Sequence, residues 1–264
     1  MPDSDGGEVR PGRFSGVQAD PVAQLRLLDV QALDSTLSRL EHRRSTLPEL
    51  AALRENTTAL ADLQDAAGRV ETELADLGRE QRRLEADVET VRARQERDNT
   101  RLTSGAITNA RELESLQHEL DTLSRRQSDL EDQVLDLMER REDMEGRLAG
   151  LQKSRSDVEA ELLRLTVARD EAVHGIEVER AEASLQRTER AEGVPADLLK
   201  LYDTIRAGTG AGVGAAALRA RRCQGCHMDV SGTELSHART APPEEVLRCE
   251  ECRRILVRVV DSGL

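Results

Sequence analysis

Two long ladders of apolar residues, spaced alternately three and four positions apart, constrain the fold of this chain more than any other feature. The first ladder spans residues 60–91 and the second spans residues 113–165. Such a stripe is typical of the buried seam of a left-handed coiled coil. The sequence between the ladders is turn-like and leads into a capping box that begins at Asn109. We therefore predict a mainly α fold built on a long antiparallel coiled-coil hairpin.

Local signals set the predicted boundaries of this hairpin. Asp20 is placed to cap the first helix, with Pro21 at its first position. Pro48 is expected to break or kink the first arm, because a proline removes a hydrogen bond and clashes with the preceding turn. The predicted domains are a disordered leader at residues 1–19, the hairpin at residues 20–193 with its tip at about 98–110, and a short helix plus zinc ribbon at 194–264.

Four polar side chains interrupt the apolar ladders. They are Gln81, Gln127, Arg141 and Arg155. Polar residues at seam positions commonly set the register of a coiled coil at some cost in stability. We expect these four to fix the register or to lie in loosely packed layers, although a functional role is an alternative.

Composition argues against a compact enzyme domain. Of the 264 residues, 34% are charged and 1% are aromatic, and there is no tryptophan. Large rings normally supply much of the core of a globular enzyme, whereas this composition is typical of long helices. No apolar run is long enough to cross a membrane, and the first residues lack the apolar core of a signal peptide. We expect a cytoplasmic protein with no membrane association.

Four cysteines near the end of the chain form two CxxC motifs. Cys223 and Cys226 are separated by 22 residues from Cys249 and Cys252. Two such knuckles supply four thiolates at the corners of a tetrahedron, the arrangement of closed structural zinc sites. In the cytoplasm, paired CxxC motifs favour metal over disulfides. We predict one structural zinc ion, with a short helix at 232–239 in the spacer and strands at 215–218 and 255–260.

Other chemistries at these cysteines are less consistent with the sequence. A c-type haem would use the CxxCH motif that ends at His227, but it would leave the second CxxC unexplained. A dithiol redox site would need a thioredoxin-like βαβ context, which is absent. His227 itself is either an exposed turn residue or a contact residue. Four thiolates leave zinc no open position for water, and no GxSxG, HExxH or P-loop motif occurs, so we predict neither an enzyme nor a small-molecule substrate.

Arginines mark two surfaces that could contact a partner. The chain has a net charge of −13, which disfavours general binding to nucleic acid. Around the knuckles, arginines could face phosphate or could balance the anionic zinc–thiolate centre: Arg219, Arg221, Arg222, Arg253 and Arg254. Around the hairpin tip, a second group could contact a partner or could simply be solvated: Arg92, Arg94, Arg97, Arg101 and Arg111.

Several segments resemble the bacterial C4-type zinc-ribbon, coiled-coil hairpin family. Residues 109–120 and 130–138 resemble the second arm of that family, and residues 222–230 and 246–252 resemble its ribbon. The resemblance covers about residues 22–260 and carries the four cysteines over as zinc ligands. It implies a non-enzymatic protein of a group described as nucleic-acid-binding or adaptor proteins. One branch is linked to flagellar assembly and an alternative sigma factor, a role that the resemblance does not transfer.

Together these features favour a non-enzymatic, zinc-binding adaptor or chaperone-like protein whose partner is another protein. The near-neutral charge of the ribbon and the acidic hairpin favour this hypothesis. The alternative is a nucleic-acid-binding protein that acts through the arginines of the ribbon. A third hypothesis, an oxidoreductase that uses the CxxC pairs, would require reversible disulfide formation and activity without metal.

Overall fold

The computed structural model describes residues 16–105, 107–210 and 212–264. The elements in these residues are α1 (Pro21–Ser45), α2 (Pro48–Thr103), α3 (Ala110–Glu192), α4 (Ala196–Gly208), β1 (Ala215–Arg219), β2 (Arg222–Cys223), α5 (Gly232–Thr240), β3 (Leu247–Arg248) and β4 (Ile255–Arg258). The break predicted at Pro48 is confirmed, because α1 ends before this proline and α2 begins at it. Within the described residues, no helix combines the length and the apolar character needed to cross a bilayer.

The chain divides into two compact units whose boundaries differ from the predicted domains. The hairpin unit is Pro48–Ala168, and the ribbon unit combines the described residues up to Leu47 with Arg169–Leu264. The first helix and the end of α3 therefore belong with the zinc ribbon, not with the hairpin unit. The physical reason is that α1 buries its apolar face, including Leu27 and Val30, against the sheet and α4.

In the hairpin unit, the heptad ladders form the packed seam that their spacing predicts. Every position of the first ladder is buried or half-buried, and so is every position of the second except Leu113 and Arg155. Arg92 on α2 pairs with Glu131 on α3, and Arg101 pairs with Glu112. The partner number falls as the residue number rises, so the two helices run antiparallel. This confirms the predicted hairpin.

Two of the four polar seam residues bind each other across the hairpin unit. Arg141 Nη1 donates to Gln81 Oε1 at 2.7 Å. Gln127 instead donates to Glu131 on its own helix, and Arg155 lies outside the seam in an ion pair with Glu159. Of the four polar seam residues, only Gln81 and Arg141 bond to each other across the arms, and only this pair supports the predicted role in fixing register.

Replacing Gln81 with leucine is expected to lower the free energy of unfolding by about 1 kcal/mol, because Arg141 loses its acceptor at the seam. Replacing both Gln81 and Arg141 with leucine should restore or exceed the wild-type value, since an apolar layer replaces a polar one. Urea unfolding, monitored by circular dichroism, measures the free energy of unfolding of both variants. Gln127→Leu is the control, because it removes no bond between the arms. A double variant less stable than the Gln81→Leu variant would contradict this role.

The ribbon unit places a four-stranded sheet against helices. The strand order is β2-β1-β4-β3, with β1 and β4 parallel at the centre and antiparallel partners at both edges. Side chains alternate between the two faces of a strand. Ala215, Ile255 and Val257 pack with α1 and α4, whereas Ala216 and Leu256 pack beneath the cysteines and α5. One face of the sheet thus belongs to the helical core and the other to the metal site.

The predicted disordered leader at residues 1–19 is only partly within the described chain. Residues 1–15 lie outside the described residues, but residues 16–19 pack on the ribbon. Ala19 is 5% exposed, and its backbone N–H donates to Glu244 O at 2.8 Å. Gln18 forms an antiparallel bridge with Glu245. These contacts correct the predicted boundary, because residues distant in sequence order this segment, and no local signal reveals them.

Candidate metal centre

The four cysteines of the two CxxC motifs converge on one point. Their Sγ atoms all lie within 4.8 Å of one another. The Cys223 and Cys252 sulfurs are 3.9 Å apart, and those of Cys226 and Cys249 are 3.8 Å apart. A tetrahedral zinc ion with Zn–S bonds of about 2.3 Å separates its sulfurs by about 3.8 Å. The donor set and its spacing therefore fit one structural zinc ion.

The two knuckles have the same backbone geometry. The His227 N–H donates to Cys223 O at 2.8 Å, and the Arg253 N–H donates to Cys249 O at 2.9 Å. In both knuckles, the residue after the second cysteine has a left-handed backbone conformation, with φ of 59° at His227 and 62° at Arg253. The turn thus points both sulfurs of a knuckle to the same side. His227 is exposed and serves as a turn residue.

The spacer helix supports the second knuckle. Ser231 caps α5 through a bond from the Glu234 N–H, and Leu235 and Ala238 pack with the buried cysteines. The Glu234 carboxylate accepts the backbone N–H of Glu250 at 3.2 Å. Burial, opposed by this bond, raises the pKa of Glu234. The helix predicted in the spacer therefore exists and holds the CxxC turn from outside the metal site.

Burial makes two of the four thiols, those of Cys223 and Cys249, depend on metal for ionisation. It raises the pKa of the Cys223 and Cys249 thiols, although backbone N–H groups oppose it. Burial also opposes ionisation of Cys252, but the Arg254 N–H and the neighbouring thiols lower the pKa of this thiol below its ordinary value. Zinc binds thiolates, so metal binding must release protons from the buried pair. Zinc affinity should consequently fall as the pH is lowered.

Of the five ribbon arginines, the side chains of three are bound within the described part of the chain by ion pairs or hydrogen bonds, and those of two are not. Arg219 pairs with Asp261 at 2.8 Å and Arg222 pairs with Asp229 at 2.9 Å. Arg254 is structural, since its guanidinium donates to the carbonyls of residues 213 and 225 and thereby braces the first knuckle. Among the residues that the structure describes, neither Arg221 nor Arg253 has an ion-pair partner. Both are exposed.

The tip arginines are likewise mostly engaged. Arg92, Arg94 and Arg101 each pair with a glutamate on the facing helix. Within the described ranges, Arg97 and Arg111 have no such partner and are exposed. The turn between α2 and α3 brings these five side chains to one end of the hairpin unit, but three of them bind the hairpin itself.

Arg258 is an organising residue that the sequence does not reveal. Its guanidinium donates to five backbone carbonyls, those of residues 238, 241, 242, 243 and 245, at 2.8 to 3.3 Å. It thereby fastens the end of α5 and the following loop to β4. An arginine in a predicted strand gives no sign of this role, because all its partners are backbone atoms.

A buried polar network attaches the sheet to the helices of the ribbon unit. Gln31 Oε1 accepts the Gly214 N–H at 2.7 Å, at the start of β1. Asp34, which is 0% exposed, accepts from Tyr202 Oη at 2.6 Å and from Arg187 Nε at 2.8 Å. Burial and the bond to Asp34 raise the pKa of Tyr202. The contacts span α1, α3, α4 and β1, so the zinc ribbon is joined to a helical base.

A coiled-coil hairpin and a four-cysteine ribbon together define a zinc-ribbon coiled-coil protein. Residues 30–210 match the family model of the CT398-like coiled coil hairpin domain, and residues 222–256 match that of the C4-type zinc ribbon domain. The first match covers more than half of the chain. The chain belongs to the CT398-like coiled-coil hairpin family, which agrees with the resemblance noted from sequence.

Solved structures and curated relatives agree with this assignment. A Mycobacterium smegmatis structure is 32% identical, with a TM-score of 0.80, and the match covers 91% of this chain and all of that one. CT398 from Chlamydia trachomatis shares the fold at 21% identity, with a TM-score of 0.70 over 90% of this chain and 98% of that one. Uncharacterized proteins from two Mycobacterium tuberculosis strains are 37% identical over 92 residues, which is 35% of this chain and 37% of theirs.

Proposed function

We propose that this chain is a non-enzymatic adaptor or chaperone-like protein of the cytoplasm that binds another protein through its zinc ribbon. The observation that carries the proposal is the engagement of the ribbon arginines. Arg219, Arg222 and Arg254 are all bound within the chain. Three of the five ribbon arginines are therefore already engaged within the chain, which leaves fewer cations to contact phosphate and favours a protein partner over nucleic acid.

The metal centre supports a non-enzymatic role. Four cysteines complete the tetrahedron of a zinc ion, so water has no open position at which the metal could activate it. The buried network around Asp34 and Tyr202 attaches the ribbon to helices, as suits a rigidly presented binding surface. We include neither a small-molecule substrate nor a membrane in this proposal.

A second candidate function is binding of nucleic acid. Arg221 and Arg253 favour it, because both are exposed and, in the described part of the chain, lack carboxylate partners. Phosphate contacts of this kind release counterions and give affinity that falls steeply with salt. Replacing both arginines with glutamate should then abolish binding.

A pull-down from the cells that express the protein separates the two functions. The baits are the wild type, Cys223→Ser, and an Arg221→Glu, Arg253→Glu double variant, each tested in lysates with and without nuclease. The adaptor proposal expects a defined protein that survives nuclease, is retained by the double variant and is lost with Cys223→Ser. Recovery that requires intact nucleic acid and both arginines would overturn it in favour of the second candidate.

A further inference from the structure

Two large apolar side chains lie exposed on α3 in the hairpin unit. Leu135 is 57% exposed and Met138 is 49% exposed. They are three residues apart, so they are neighbours on one helix face. Neither belongs to the heptad ladder, whose adjacent positions Val134 and Leu137 point into the seam. On an isolated two-helix hairpin these positions would ordinarily be polar.

Leu135 forms one wall of a groove between α2 and α3. The groove has a volume of about 280 Å³. Its remaining lining residues are Val88 and Val134 from the seam and Glu85, Arg92 and Glu131 at the rim. Arg92 Nη2 donates to Glu131 at 2.7 Å, which holds that rim in place. An apolar floor bounded by side chains from two helices is the kind of groove in which the apolar face of a further helix can lie.

The α3 side of the groove is acidic, whereas the facing segment of α2, residues 82–92, balances three carboxylates with three arginines. Residues 129–145 of α3 contain eight carboxylates and two arginines. One of those arginines, Arg141, is already bound to Gln81 and Glu145. An apolar patch flanked by negative charge on α3 is complementary to a helix that carries apolar residues on one face and basic residues on the side that meets α3.

We propose that this groove binds a basic amphipathic helix of a partner protein. An apolar side chain of that helix inserts against Val88, Val134 and Leu135, and its lysines or arginines face the carboxylates of α3. The proposal rests on the adaptor function above and adds to it a second binding surface, on the hairpin unit, with a stated partner chemistry.

The probe is a fluorescein-labelled synthetic helix with leucine at heptad positions a and d and lysine elsewhere. Fluorescence anisotropy with the zinc-loaded full-length protein is expected to show saturable binding of one peptide per chain. A Leu135→Gln, Met138→Gln double variant should weaken binding at least tenfold. Leu163→Gln is the control, because it changes an exposed leucine on the same helix outside this groove. This variant should change the affinity for the peptide less than twofold. A matched peptide with glutamate in place of lysine should bind at least tenfold more weakly.

Equal binding by the wild type and the double variant, or by the basic and acidic peptides, would overturn the proposal. Circular dichroism checks that the variants are folded, which we expect because both side chains are exposed. Sedimentation tests the other occupant: a dimer of this chain that the double variant dissociates would make the groove a self-interface and would also overturn the proposal. These results concern the groove alone, whereas the nuclease-treated pull-down decides the adaptor function.

Discussion

Replacing Cys249 with serine is expected to abolish tight zinc binding and to unfold the two knuckles together with α5. Without metal, the side chains that pack on this face of the sheet are small or aliphatic, such as Ala238, Val230 and Leu247, and form only a small core. Structural zinc sites contribute on the order of 10 kcal/mol or more to the folding of such modules. Zinc content and hydrogen exchange of residues 223–254 measure the effect.

The same variant should leave the helices and the central strands folded. Ala215, Ile255 and Val257 pack into the helical core, and their burial does not involve the metal. Helical circular dichroism should therefore be retained, and amides of β1 and β4 should exchange more slowly than those of the knuckles. His227→Ala is the matched control, because it changes an exposed residue beside Cys226 and should keep zinc bound. Protected knuckle amides in the zinc-free Cys249→Ser protein would refute a structural role for the metal.

Replacing Asp34 with alanine is expected to lower the free energy of unfolding of the ribbon unit by about 3–5 kcal/mol. The substitution leaves Arg187 and Arg206 without the buried carboxylate that both contact, and removing one partner of a buried ion pair is strongly destabilising. It also removes the acceptor of the Tyr202 hydroxyl. Because Tyr202 is the only tyrosine and there is no tryptophan, tyrosine fluorescence during urea unfolding reports directly on this site.

The matched control for this substitution is Asp29→Ala. Asp29 lies on the same helix and pairs with Arg190, but both side chains are more than half exposed. Ion pairs in such positions contribute little, because water and salt screen them. A loss of stability in the Asp34 variant no larger than in the Asp29 variant would show that the buried network does not hold the ribbon unit together.

The hairpin was predictable because a seam is a local, repeating signal. Residues three and four apart share a helix face, so the spacing of the apolar residues from Leu60 to Val91 was enough to predict which side chains are buried. The zinc ligands were predictable for a related reason, since each CxxC places two thiolates within one turn. The partner of Gln81 was not predictable, because the ladders specify that two arms pair but not which layers meet.

Sequence alone determined that this chain forms an antiparallel hairpin and a four-cysteine zinc site, since periodicity and short spacings encode both. Tertiary structure alone decided that α1 and the end of α3 belong with the ribbon. It also decided that buried Asp34 accepts a hydrogen bond from Tyr202 and that Arg258 donates to five backbone carbonyls. The physical reason is that these contacts join single residues on distant segments. The residues that make these contacts do not lie in a repeating pattern, and the contacts stabilise the protein only once the elements have packed together.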